Sequence, residues 1–157
     1  MPFLGVLLLA VACTAPTPRD ETLATQLQRL GLHYYLDEDG DFVVDLSPEP
    51  GRRQRVWIRS EVNNWNHTRI REIISLGRSF TQEPPRTLLM SLLEENYHNR
   101  FLGSWSLTRS PQEGTYLLVF VVKLNASPYN PLLIPALLEA ASAADSLEKT
   151  LGIEDIY

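Results

Sequence analysis

Leucines at 23, 27 and 30 recur at helical spacing behind Asp20, and Gly31 follows them. That pattern predicts a short amphipathic helix with Asp20 as N-cap, acid in its first turn and glycine just past its C-cap. Two strand-like runs come next, "GLHYYL" and "FVVDL", separated by the acidic stretch "LDEDGDF" from Leu36 to Phe42. Asp39-Gly40 between such runs is a hairpin signal, because glycine accepts positive φ at little steric cost. Ser47 to Gly51, "SPEPG", reads as a loop. The chain then alternates, with Val56, Ile58 and Val62 on one side and Arg53, Arg55, Trp57, Arg59 and Glu61 on the other, the period of a half-buried strand. "NNWNHT" is turn material. "RIREIISL" reads as a returning strand with Ile70 and Ile74 facing inward, yet Ile70, Ile73 and Ile74 also fit a helical stripe, so residues 70–76 stay open between strand and helix.

Prolines 84 and 85 open a second helix, in which Leu88, Leu89, Leu92, Leu93 and Tyr97 fall at i, i+3 or i+4. "SWSLTRS" and "TYLLVFVVKLN" predict a further hairpin across Pro111 to Gly114. The unbroken apolar run of residues 117–122 suits a central strand covered on both faces. A last helix is expected from Asn130-Pro131 to about Leu151. Asn130 is its N-cap candidate, and Pro135 either kinks the first turn or marks the true start. Its stripe of Leu133, Leu137, Ala140, Ala141, Ala144, Leu147 and Leu151 is lean enough to let another element approach closely. The order α-β-β-β-(β)-α-β-β-α predicts an α+β domain, a curved and mainly antiparallel sheet of five to six strands with helices packed against it.

Composition sharpens this. The 157 residues make one domain's worth of chain, and 44% hydrophobic content is too apolar for disorder. A formal charge of −5 supplies no global attraction to nucleic acid, which is not an expected partner. The single cysteine excludes an intrachain disulfide and any multi-cysteine metal site. Residues 1–12, "MPFLGVLLLAVA", form an uncharged apolar run that stops at Cys13 and is shorter than the roughly 20 residues a membrane span takes. Ending in Ala10-Val11-Ala12 before a cysteine, it resembles a bacterial lipoprotein signal, in which Cys13 would be lipidated. No Lys or Arg precedes the run, and Ala10 stands where a larger aliphatic is usual. The expected division is a leader over 1–13, a Pro/Thr tether over 14–20 and one domain over 21–157. That places the domain at the cell envelope, periplasmic or extracytoplasmic, touching membrane only through a lipidated N-terminus; a cytoplasmic location is the alternative.

Candidate chemistry is thin. Counted from Asp37, an EF-hand loop would need Gly at position 6 and Glu at 12, where this chain has Phe42 and Pro48. The acidic stretch therefore reads as a turn and not as a calcium loop. His33, His67 and His98 are dispersed, and Glu94 and Glu95 are adjacent on a helix and cannot share a face. No phosphate-binding, dinucleotide or nucleophile-elbow motif occurs. The expectation is no enzyme, no cofactor and no metal. One patch remains: Arg52, Arg53, Arg55, Arg59, Arg69 and Arg71 with Trp57 and Trp65, against Glu61 alone. Such a face can stack on bases or clamp carboxylates and phosphates, or it can be a solvated face whose arginine stems cover Trp57. Arg53, Arg55, Trp57, Arg59, Arg69 and Arg71 are the candidate partner-binding residues, and the charge layout would also suit an acidic partner protein. Leu89 and Leu93, on a different side of the second helix from Leu88 and Leu92, are candidate contacts of a homodimer.

The helix before "Y-x-L-D-E-D-G-D", Asn96 and Gly103 around the second helix's exit, and "AADSLE" (Ala143 to Glu148) in the last helix resemble the YbjN-like bacterial family, labelled sensory transduction regulators. The likeness runs from about Thr22 to Tyr157. It implies a type III secretion chaperone-like α+β fold that typically dimerises, binds protein segments and has no recognised catalytic residues. The family's usual members look cytosolic, from which the leader departs. The expected function is a non-catalytic protein-binding module, chaperone-like or regulatory, with an unidentified protein partner. A ligand or nucleic-acid binder using the Arg/Trp face is the alternative, and steep salt dependence would reveal it.

Overall fold

A computed structural model of the chain describes residues 20–111 and 113–152. The leader, Cys13 and residues 14–19 of the expected tether lie outside the described residues, so the expectations about export and lipidation do too; Asp20, placed at the end of the tether, instead caps α1. The elements are α1 (Glu21–Arg29), β1 (Tyr35–Leu36), β2 (Phe42–Leu46), β3 (Gln54–Trp65), β4 (Thr68–Phe80), α2 (Arg86–His98), β5 (Gly103–Arg109), β6 (Tyr116–Asn125) and α3 (Leu133–Thr150). Among the described residues the strands form one six-stranded antiparallel sheet in the order β1-β2-β3-β4-β6-β5. The fold is the α+β arrangement expected from the sequence, element for element.

Asp20 begins α1 in two ways. Its carboxylate accepts the Leu23 amide at 2.9 Å, satisfying a donor that the first turn leaves orphaned, and it also pairs with the buried guanidinium of Arg71 on β4. The acidic turn is held just as locally. The Gly40 amide donates to the Asp37 carbonyl at 3.0 Å with Gly40 at φ +80°, and the Asp37 carboxylate accepts the amides of Asp39 and Asp41. That is a three-residue hairpin loop closed by a left-handed glycine. Between β3 and β4 the chain reverses through Asn66 and His67 alone, both at positive φ, and Trp65 faces Thr68.

Residues 70–76 are therefore strand. Their phase differs from the expectation: Ile73 is fully buried under the helices, beside Arg71 and Ser75, whereas Ile70 and Ile74 lie on the opposite face. Both faces of β4 carry apolar residues, so alternation alone leaves the phase undetermined; pairing of Ile73 with Val122 of β6 and Ile58 of β3 sets it.

α3 crosses β3, β4 and β6. Ala136, Ala140, Ala141, Ala143 and Ala144 are each at most 1% exposed, and a Cβ added to Gly77 on β4 would stand 2.7 Å from both Leu147 of α3 and Trp105 of β5. Small residues on both partners thus bring helix axis and sheet close together, and Phe42, Ile58, Leu118, Phe120 and Leu137 fill what remains. Pro135 sits in the first turn of α3, where its missing N–H leaves no bond unmade, while the Asn130 side chain accepts the Leu132 amide just before the helix. α2 guards the sheet edge. The Asn96 side chain accepts from the Trp105 amide at 2.6 Å and donates to the Trp105 carbonyl at 3.3 Å, occupying backbone groups that an edge strand would otherwise offer to another chain.

Replacing Gly77 by Ala should destabilise the domain by about 1–3 kcal/mol in urea unfolding, because Leu147 and the Trp105 ring must both move. An unchanged midpoint would mean that α3 sits farther from the sheet.

Candidate binding surface

The apolar faces of α1, α2 and α3 all join the cluster that covers one side of the sheet, through Leu23, Leu27, Leu92, Leu137 and Leu147. The opposite side carries no helix among the described residues. Across that side the register aligns Val43, Trp57, Ile74 and Val121, with Leu76 beside Val119 in the next row. The sheet curls there into a cavity of about 360 Å³ whose floor is Trp57, Ile74, Leu76, Leu117 and Val119. That volume is in the range of clefts that accept a small ligand or a few side chains. One end of the cavity is bounded by Asp37, Asp39 and Asp41 of the acidic turn together with Arg59.

The candidate arginines are divided by the fold. Arg59 pairs with Asp41 at 3.1 Å, and Asp41 also accepts the Ser60 amide at 2.7 Å, which ties the acidic turn down onto β3. Arg55 pairs with Asp45 at 3.0 Å across the strands and lies 5.7 Å from the Tyr35 ring centre. Arg53 is exposed just before β3. Arg69 and Arg71 are on the other side of the sheet. Arg71 is buried, donating to the Arg59 carbonyl and pairing with Asp20, and Arg69 lines a separate cleft with Asp20 and Ser127. The two-residue Asn66-His67 turn explains this: it pairs Val62 with Arg71, so odd positions of β4 share a face with even positions of β3. Trp57 and Arg59 are therefore brought together, with an acidic neighbourhood the sequence reading had not joined to them.

A second polar group, missed in the sequence, clamps α3. Arg52 pairs with Asp145 and, at 2.9 Å, with Glu148; Gln54 donates to Glu148 at 2.6 Å; Lys149 reaches Glu49 at 2.6 Å and Asp145 at 2.8 Å. The helical phase was the available signal, since Asp145 and Glu148 continue the face of Ala141 and Ala144. Burial alone would raise the Asp145 carboxyl, but hydrogen bonds from Lys149 and Arg52 and their charges outweigh it and hold it below its ordinary value. Asp20 follows the same balance, burial opposed by the Leu23 amide and Arg71, and is likewise lowered.

On α2, Leu89 packs partly against the core and Leu93 is 58% exposed. With Leu92, Trp105 and Leu107 they border a shallow groove of about 150 Å³.

The class that the fold defines is an α+β domain with one sheet face covered by helices and the other free of helices among the described residues. No protein-family model matches the chain, and no curated protein matches it. Among solved structures it is similar to a chain of the heterodimeric ExoU–SpcU complex from the type III secretion system of Pseudomonas aeruginosa. There the identity is 17% and the TM-score 0.45, over 78% of this chain and 92% of that one. It is also similar to YbjN, a candidate transcription regulator from E. coli, at 11% identity and TM-score 0.47, over 84% of this chain and 92% of that one. At these values the likeness concerns the course of the chain and says nothing of activity or partner.

Both lowered carboxyls stabilise the folded state above their unfolded value near 3.8, and that stability is lost as pH falls through their folded values. The urea midpoint should therefore drop between about pH 5 and pH 3, and Asp145→Asn should make that drop shallower. An unchanged pH profile in the variant would show that the Asp145 clamp does not hold in solution.

Proposed function

We propose that this chain is a non-catalytic protein-binding module, chaperone-like or regulatory, that holds a segment of a partner protein on the open face of its sheet. The observation that carries this reading is the apolar cavity on a sheet face that no described helix covers. A solvated sheet face is ordinarily polar, and a contiguous apolar floor on it marks an interaction site. The YbjN-like motifs in the sequence point the same way. A nucleic-acid reading of the Arg/Trp face has less to stand on: Arg52, Arg55, Arg59 and Arg71 each have a carboxylate partner within the fold. Phosphate contacts would have to break those pairs.

Self-association through α2 is a separate part of the proposal, motivated by the exposure of Leu93 next to the apolar groove. Lipidation of Cys13 would tether the module to the envelope, and the intact mass of the native protein reports it directly.

Wild type and a Leu76→Ser variant, recovered from the native host with an affinity tag, test the main reading. Wild type should retain a protein that stays bound at raised salt, and the variant, with an unchanged circular dichroism spectrum, should lose it. Recovery of nucleic acid that washes off steeply with salt would contradict the reading. For the association, Leu93→Glu should remain folded and sediment as a monomer while wild type sediments as a dimer. Leu92→Glu, at a position only 5% exposed, should unfold the domain through a buried unpaired charge. A monomeric wild type at high concentration would end the dimer proposal.

A further inference from the structure

Resting on the protein-binding reading above, we propose that the open-face cavity selects an extended partner segment that is cationic as well as apolar, with its Lys or Arg seated against the Asp37–Asp41 turn. The floor asks for apolar side chains: Trp57, Ile74, Leu76 and Val119 come from three adjacent strands and present no charge. The end of the cavity asks for a cation. Three carboxylates stand there against the guanidinium of Arg59, which pairs with Asp41. Asp37 spends one oxygen on the amides of Asp39 and Asp41, and Asp39 is exposed with its carboxylate taken by no cation among the described residues. The result is a net negative end on a low-dielectric floor, where field lines are focused and attraction to a cation exceeds that on open surface.

An extended segment matches this layout. Its side chains alternate between faces with a period of two, so apolar residues at i and i+2 meet the floor and a following residue on the same side reaches the turn. A lysine or arginine there lays its aliphatic stem along the Trp57 side of the cavity and its charge at Asp39. An acidic segment would meet like charge at the same place. The proposed segment differs from the acidic partner that the arginines alone suggested: Arg52, Arg55, Arg59 and Arg71 are ion-paired inside the fold, and the net charge at the cavity end is that of the turn.

The test uses the full chain and three fluorescent peptides of equal length, alternating Leu with Lys, Glu or Ser, titrated by anisotropy at moderate salt. The Leu/Lys peptide should bind at least about tenfold more tightly than Leu/Glu, with Leu/Ser between them. Asp39→Asn keeps an Asn-Gly turn and should weaken the Leu/Lys peptide by roughly three- to fivefold while leaving Leu/Ser unchanged. Leu76→Ser should weaken all three. Equal binding of the three peptides, still sensitive to Leu76→Ser, would overturn the charge selectivity and leave the protein-binding reading standing. Leu/Lys binding insensitive to both substitutions would overturn the placement, as a diffuse charge effect, and so would tighter binding of Leu/Glu. If no peptide binds, the proposal fails, and partner capture from the host then decides the broader reading separately.

Discussion

The close approach of α3 to the sheet is the constraint on which the rest of this structure depends. Alanine contributes little apolar area by itself, at about 25 cal/mol per Å² buried, so a helix faced with alanines is stabilised mainly by what its smallness allows. Here it allows Leu147 to reach Trp105 and the Gly77 backbone, and lets the larger side chains of β2, β3 and β6 interdigitate beneath the helix. A carbon added at Gly77 would force Leu147 and the Trp105 ring to shift. The close approach also places Asp145 and Glu148 where water cannot serve them, which is why Arg52, Gln54 and Lys149 converge on that end of the helix. Ion pairs of this kind add little net stability, but leaving Asp145 or Glu148 without its partner would strand a buried carboxylate, so the pairs tie this end of α3 to the chain before β3.

With all the described helices committed to one side, the other side of the sheet must be either polar or used. It is neither uniformly polar nor flat. Trp57, Ile74, Leu76 and Val119 make an apolar floor, and the acidic turn is pinned over one end by Asp41 bridging Ser60 and Arg59. A loop that could have been mere chain reversal thus becomes a charged boundary to an apolar surface. The ion pair that anchors the turn engages Arg59, and Arg55 pairs with Asp45 on β2, so two of the arginines that made β3 look like a site for anions have carboxylate partners within the fold.

Local features of the fold were legible because they depend on neighbours in sequence: Asp20 as a cap, Gly31 after α1, Asp39-Gly40 as a turn, and the lean stripe of α3. The order of the elements followed from them. What was not legible depends on register. One fact, that Asn66 and His67 alone make the β3–β4 turn, reverses parity between the strands; it sends Arg69 and Arg71 away from Arg55 and Arg59, and exchanges Ile73 for Ile70 and Ile74 as the inward residues. The candidate site was half visible. Trp57 and Arg59 were singled out, but their acidic partners and the floor of Leu117 and Val119 are brought together only by the order of strands in the sheet. Asp145 and Glu148 were overlooked because acids on a helix are ordinarily solvated, and only helical phase beside Ala141 and Ala144 marks them as inward.

The central claim is that the described helices all cover one face of the sheet and none of them covers the other. Adjacent residues of β4 read the two faces directly. In a Cys13→Ser background, Ile73→Cys and Ile74→Cys variants can be reacted with a thiol reagent under native conditions and the rates compared with those in denaturant. The account predicts that the cysteine at 74 reacts readily in the folded protein and the one at 73 is strongly protected. Equal protection of both, or faster reaction at 73, would contradict it.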